Sequence, residues 1–178
     1  MQTPKPTCRQ GGGVLPVRMV NGELFFLFGL ERYDGGWSDF GGSHEKGEET
    51  IDTAIREGYE ELSGLLGDMQ TMATEVKQNL VDTIDCKTYV IYVYAPSAEL
   101  HPNLDDLPIF FQRNYDFVSQ TTPQLITDNN GMYEKTTVRW FTVQEAIAER
   151  STFRRFYRHM LDAVLRRETH IRAQIKDL

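Results

Sequence analysis

The chain has 178 residues, 40% of them hydrophobic and 25% charged, with a formal net charge of −7. That size and apolar content suit one globular domain with a sizeable core. The acidic balance excludes a protein that coats nucleic acid indiscriminately, and without any apolar run of about 18 residues there is no candidate transmembrane helix.

Residues 1–13 are polar, rich in Pro and Gly, and read as a flexible N-terminal arm without the apolar core of a signal peptide. Cys8 and Cys86 lie far apart, which suggests neither a disulfide framework nor a zinc site and leaves a reducing, cytoplasmic setting as the expectation. Gly11-Gly12-Gly13 is not followed by Gly-Lys-Ser/Thr, so it is read as a flexible lead into a strand rather than a phosphate loop. Residues 14–20 and 23–30 flank Asn21-Gly22, a strong signal for a tight hairpin. Pro16 within the first run predicts an edge or bulge position. Asp39-Phe40-Gly41 imitates the metal-binding triplet of protein kinases, but the chain is too short for a kinase and has no His-Arg-Asp loop.

Residues 50–65 are predicted to form a helix with Ile51, Ala54, Ile55, Gly58, Leu62 and Leu65 as its apolar stripe. Glu57, Glu60 and Glu61 stand at i, i+3 and i+4 on a neighbouring face. Three adjacent carboxylates repel one another; they are either a solvated acidic face or a site for a hard divalent cation. The surrounding register is Gly42, Glu48, Arg56, Glu57, Glu60, Glu61, or Gly-x5-Glu-x7-Arg-Glu-x2-Glu-Glu. It resembles the Nudix box of the Nudix hydrolases. Two positions depart from the family pattern: Gly58 replaces a bulky aliphatic, and Ser63 stands where glycine is usual, with Gly64 one place late. Phe40 replaces the proline that usually precedes the paired glycines, a form similar to Nudix proteins of large DNA viruses, for which the setting would be host cytoplasm.

The resemblance implies an α/β fold, a Nudix-type α/β/α sandwich with a mixed sheet, spanning 14–178 as a single domain. It implies metal-dependent hydrolysis of a phosphoanhydride bond, with Mg²⁺ or Mn²⁺ neutralising phosphate oxygens and lowering the pKa of a bound water. The implied ligands are the Gly41 carbonyl, Glu57, Glu60 and Glu61, one of them a possible general base. Glu48 and Arg56 would pair and orient the loop against the helix. Many members add a later glutamate; Glu134 is the candidate, with Asp128 behind it, although an exposed loop acid would look the same. His44, in the box loop, would either meet phosphate or lie on the surface.

Beyond the box, 67–77 is an ambiguous short helix and 87–95 a central strand with both faces apolar. Residues 97–133 are long for a connection, and Ile109, Phe110, Phe111, Tyr115 and Phe117 indicate a partly helical insertion packed on the body. A strand follows at 138–143. Thr142 and Glu145 then form the capping box of a helix over 143–149. A long helix is predicted from Thr152, with Phe153, Tyr157, Met160, Leu161 and Val164 inward. Residues 151–178 carry six Arg and one Lys against three acids, a net of +4, so the rest of the chain carries −11.

The substrate is less legible. The proline that marks ADP-ribose hydrolases and the tyrosine that marks diadenosine polyphosphate hydrolases are both absent near 79–81, as are the pyridine-dinucleotide and coenzyme A signatures. Arg154, Arg155 and Arg158 interleave with Phe153, Phe156 and Tyr157, a composition that suits RNA or merely a charged helix face. The leading reading is hydrolysis of a nucleoside diphosphate linked to another moiety. The alternatives are removal of an mRNA cap, cleavage of a diphosphoinositol polyphosphate, and a non-catalytic domain that binds nucleotide or RNA. Many members of this family are homodimers.

Overall fold

The computed structural model describes residues 11–127 and 130–175. Asn21 and Gly22 both take positive φ, 51° and 79°, as a two-residue type I′ hairpin requires. They join β1 (Gly11–Val20) to β2 (Glu23–Glu31) in antiparallel register, with Val17 opposite Phe26. β1 begins earlier than the sequence indicates. Gly11–Gly13, expected to be flexible, are buried strand residues held between Gly41–Ser43 on one side and Tyr89–Ile91 on the other. Without side chains they let both neighbours come close, so the same property that loosens an isolated chain tightens this sheet.

Pro16 is likewise not at an edge, because β1 is a central strand. Its antiparallel partner changes along its length: Gly11–Val14 pair with β4 (Phe40–Ser43), and Val17–Val20 pair with β2. Pro16 falls in the gap between the two, where a missing N–H breaks no antiparallel ladder. The gap is made by one segment that crosses between strands. Its first part, β3 (Trp37–Ser38), pairs with β2, and after Asp39 it continues as β4 on β1.

α1 (Thr50–Glu61) ends sooner than predicted, because Ser63 and Gly64 turn into positive φ, 54° and 67°, and the Gly64 N–H returns to the Tyr59 carbonyl at 2.9 Å. α2 (Met69–Gln78) is capped by Asp68, which accepts from the Thr71 amide at 2.8 Å. The strand β5 (Leu80–Asp85) was not anticipated. It pairs antiparallel with β6 (Tyr89–Tyr94), which runs parallel to β1. The insertion contains α3 (Leu107–Thr121), seated on the sheet through Leu107 and Phe111 while Ile109, Phe110 and Phe117 stay exposed. β7 (Lys135–Thr142) pairs with β2. It leads into α4 (Val143–Ala148) through the expected capping box of Thr142 and Glu145.

The C-terminal region is not one long helix. Phe153 is extended and bridges to Trp37, and the Arg154 N–H donates to the Trp37 carbonyl at 3.0 Å. Helix resumes only as α5 (Arg158–Leu165) and α6 (Glu168–Ile175). The apolar residues assigned to the predicted helix are nonetheless all buried.

The sheet order is β3-β2-β1-β6-β5, with β4 beside β1 and β7 beside β2. Alternate residues face opposite layers: Leu15, Phe26, Phe28, Ile91 and Val93 pack on α4, α5 and α6, while Val14, Leu27, Val90, Tyr92 and Trp140 pack on α1, α2 and α3. This is the expected α/β/α sandwich with a mixed sheet. No helix among the described residues is long and apolar enough to cross a membrane.

Gly58 sits where α1 crosses β1. A Cβ there would lie 2.5 Å from Val14 Cγ2, so the glycine sets how closely helix and sheet approach. Gly58→Leu should lower the urea midpoint by the equivalent of about 2 kcal/mol. An unchanged midpoint would show that β1 yields without cost.

Candidate active site

The box loop and α1 are fastened together by one guanidinium. Arg56 Nε donates to Glu48 Oε1 at 2.8 Å, Nη2 to Glu48 Oε2 at 3.2 Å and to the Ser43 carbonyl at 3.3 Å, and Nη1 to Glu57 Oε1 at 2.8 Å and Glu60 Oε2 at 3.4 Å. Glu48 also accepts from the Glu45 amide at 3.0 Å and from Thr53 Oγ1 at 2.7 Å. The bonds from Arg56 hold the Glu48 carboxyl down at about 2. His44 is half-buried with its Nδ1 2.7 Å from Thr53 Oγ1.

The three helix glutamates do not share one environment. Glu57 and Glu60 lie along the Arg56 side, whereas Glu61 turns inward and is 1% exposed. Its Oε2 accepts the Gly41 amide at 2.8 Å, and its Oε1 lies 3.3 Å from Lys135 Nζ. Lys135 has no exposure; its ammonium also donates to Ser38 Oγ at 2.8 Å and to Glu31. Glu31 accepts further from Ser38 Oγ at 3.0 Å and from Arg154 Nη1 at 2.8 Å. Glu31, Glu61 and Glu134 bring one carboxylate oxygen each to within 4.8 Å of one another. This acidic cluster therefore joins β2, α1 and the residue just before β7. It contains one of the three glutamates that the helix register grouped.

Glu134 is positioned by α1 itself. Ser63 Oγ donates to the Met132 carbonyl at 2.7 Å, and the turn at Gly131–Tyr133 packs so closely that a Cβ on Gly131 would sit 2.7 Å from Glu60 Oε2. Ser63 thus ties the helix end to the loop that delivers Glu134. Asp128 lies outside the described residues.

Charge is unbalanced here. Burial raises the carboxyls of Glu57, Glu61 and Glu134, that of Glu61 most, and each is raised further by neighbouring glutamates. Burial works against the Lys135 ammonium, but Glu61 and Glu31 outweigh it and keep it charged. Oxygen donors crowded until their own carboxyls resist ionising are a donor set that suits a hard divalent cation. Beneath them Asp39 is buried, with Oδ1 3.3 Å from Tyr89 Oη and Oδ2 without a protein partner, and burial pushes its carboxyl up to about 7.

A cleft of about 370 Å³ opens beside this cluster, lined by Gly41, Gly42, Tyr89, Glu134, Arg154 and Phe156 among others. The arginines expected to act together are dispersed. Arg154 faces the cleft but is bound to Glu31 and, at 2.9 Å, to Asp34; Arg158 donates to the Phe153 and Ser151 carbonyls; Arg155 is exposed. Sequence reasoning missed Glu31 and Lys135, whereas Phe156, noted there among the interleaved aromatics, does line the cleft. The one signal for Glu31 was an acid closing the otherwise apolar run Phe-Phe-Leu-Phe-Gly-Leu.

An Ap4A hydrolase of C. elegans, solved as a binary complex, superposes with a TM-score of 0.50 at 14% identity, over 86% of this chain and 93% of its own. The fold is the Nudix fold. A Nudix hydrolase from M. smegmatis, RenU, gives a TM-score of 0.48 at 14% identity, over 94% of this chain and 88% of its own. An uncharacterised protein of Acanthamoeba polyphaga mimivirus is 38% identical over 72 residues, which are 37% of this chain and 23% of the viral protein. This chain thus spans under a quarter of that relative's length. No protein-family model matches.

A carboxyl held below its ordinary value contributes stability above its unfolded pKa, lost as pH falls through the folded one. For Glu48 that window runs from 4.5 down to about 2. The Tm gap between the wild type and Glu48→Gln should therefore be open at pH 6 and close as pH drops through that window. A gap independent of pH would mean that the Arg56 pairing adds nothing.

Proposed function

We propose that the chain is a Mg²⁺- or Mn²⁺-dependent Nudix hydrolase that cleaves a phosphoanhydride bond in a nucleoside diphosphate linked to another moiety. The observation that carries this reading is the convergence of the box glutamate Glu61 with Glu134, which lines a cleft, in a Nudix fold. Glu57, Glu60 and Glu61, with the Gly41 carbonyl, would hold the cation, which when bound neutralises phosphate oxygens and acidifies water. Glu48 and Arg56 would keep the loop in register with α1, and Glu134 would serve as a further ligand or as the general base, a reading supported by the Arg56–Glu48 bonds and by the Ser63 tie to the Met132 carbonyl. All the box carboxylates are present, which disfavours a domain that only binds.

At the cleft mouth the Phe156 ring is 54% exposed, with the Arg154 guanidinium 4.6 Å from its centroid. An exposed ring and a cation on the same wall suit a base stacked next to its phosphates. This favours a nucleotide-type substrate, and the Ap4A hydrolase likeness adds dinucleoside polyphosphates to the candidates. Capped RNA is the second reading. It is favoured by exposed Arg155, next to the cleft residues Arg154 and Phe156, in a C-terminal segment of net +4.

The decisive assay is product analysis with Mg²⁺ and with Mn²⁺ over nucleoside triphosphates, ADP-ribose, dinucleoside polyphosphates and capped RNA. Glu57→Gln and Glu60→Gln should each lower turnover of the accepted substrate by about 100-fold or more with the fold intact; full activity in both would remove the site assignment. Phe156→Ala should raise KM more than it lowers kcat. Arg155→Ala should weaken cleavage of capped RNA alone; equal losses on capped RNA and free nucleotides would argue against an RNA surface.

A further inference from the structure

We infer that Lys135 is a positioning residue that acts as a built-in cation on the inner side of the acidic cluster, so that Glu31 is its counter-ion and not a metal ligand. This rests on the metal-dependent reading above. By carboxylate chemistry alone Glu31 belongs with Glu61 and Glu134, since all three reach within 4.8 Å. What separates it is the company of its Oε1. Glu31 Oε1 accepts from Ser38 Oγ, Lys135 Nζ and Arg154 Nη1, three donors on one atom, two of them charged. A divalent ion bridging Glu31 and Glu61 would have to share that space with the ammonium, at a depth where little water screens the repulsion.

Lys135 has no room to move aside. Its stem lies over Gly29, where a Cβ would stand 2.9 Å from both Lys135 Cγ and Cδ, and its ammonium lies 6.0 Å from the centroid of the Phe40 ring. The glycine in β2 leaves the slot along which the lysine reaches the cluster. Glu31 and the Oε1 of Glu61 are thus already served by a fixed monovalent charge, and Glu61 can share a cation only from its other side. A divalent cation is left to the side of the cluster that faces the cleft, where Glu134 lines the wall and Glu57 and Glu60 are partly exposed.

The test is Mn²⁺ binding by the full chain, followed by titration calorimetry and by the electron paramagnetic resonance signal of free Mn²⁺, without substrate. Glu31→Gln should bind Mn²⁺ within about threefold of the wild type, while Glu57→Gln weakens it by about tenfold or more. Lys135→Met, which strips the inner carboxylates of their cation, should bind one additional Mn²⁺ or bind it about tenfold more tightly. Glu31→Gln weakening Mn²⁺ as much as Glu57→Gln would make Glu31 a ligand and overturn the inference. So would Lys135→Met that folds and binds Mn²⁺ as the wild type does. Circular dichroism identifies a variant that does not fold, and the other then decides alone. A wild type that binds no Mn²⁺ would instead remove the metal-dependent reading itself.

Discussion

The arrangement rests on a charge taken fully out of water. Lys135 and Glu61 are buried to within 1%, and desolvating each ion costs several kcal/mol that only close, well-satisfied pairing offsets. The pairing is supplied from four places: Glu31 at the end of β2, Ser38 in β3, Glu61 at the end of α1, and Arg154 beyond α4. Glu61 is satisfied only when the Gly41 amide arrives, and Gly41 arrives only because β4 pairs with β1. Register in the sheet and charge in the site are therefore one constraint.

The segment that crosses from β2 to β1 explains how a cleft can border so tight a core. By pairing first with one strand and then the other, residues 37–43 separate β2 from β1 and bring Ser38, Asp39 and Gly41 to the line of separation. Backbone amides and buried side chains there have lost some of their sheet neighbours, and the site uses them. Glu134 approaches from the other side on a turn fixed by Ser63 and by contact with Glu60. Carboxylates carried by strands and a helix, rather than by long loops, are held in place by packing.

Much of this was legible before any coordinates. The Asn21-Gly22 hairpin, the box helix and the Thr142 and Glu145 cap follow from local pattern, and the sandwich from the resemblance that the box carries. The misreadings share a cause: each involves a residue whose role is set by a distant partner. Pro16 suggests an edge until the change of partner along β1 is known, and Gly11–Gly13 suggest flexibility until β4 and β6 enclose them. The C-terminal residues keep their inward apolar pattern, but Trp37 captures the backbone at Phe153 and Arg154 and holds it extended. Glu57, Glu60 and Glu61 fit a helical face, yet periodicity cannot say that the last of them is buried. Glu31 and Lys135 are 104 residues apart in sequence, so no local pattern pairs them.

That separation has a consequence for how the protein responds to what it binds. A helix could present Glu57 and Glu60 on its own, but the cluster that includes Glu134 exists only when β2, α1 and β7 are all in place. A ligand held there binds the complete fold and no smaller part, so its binding free energy is added to the stability of the whole domain. Occupancy and global unfolding are then a single equilibrium. Thermal resistance would track the concentration of the bound species rather than the strength of any one contact, and a chain whose C-terminal half had not yet folded would hold its box glutamates without the site they complete.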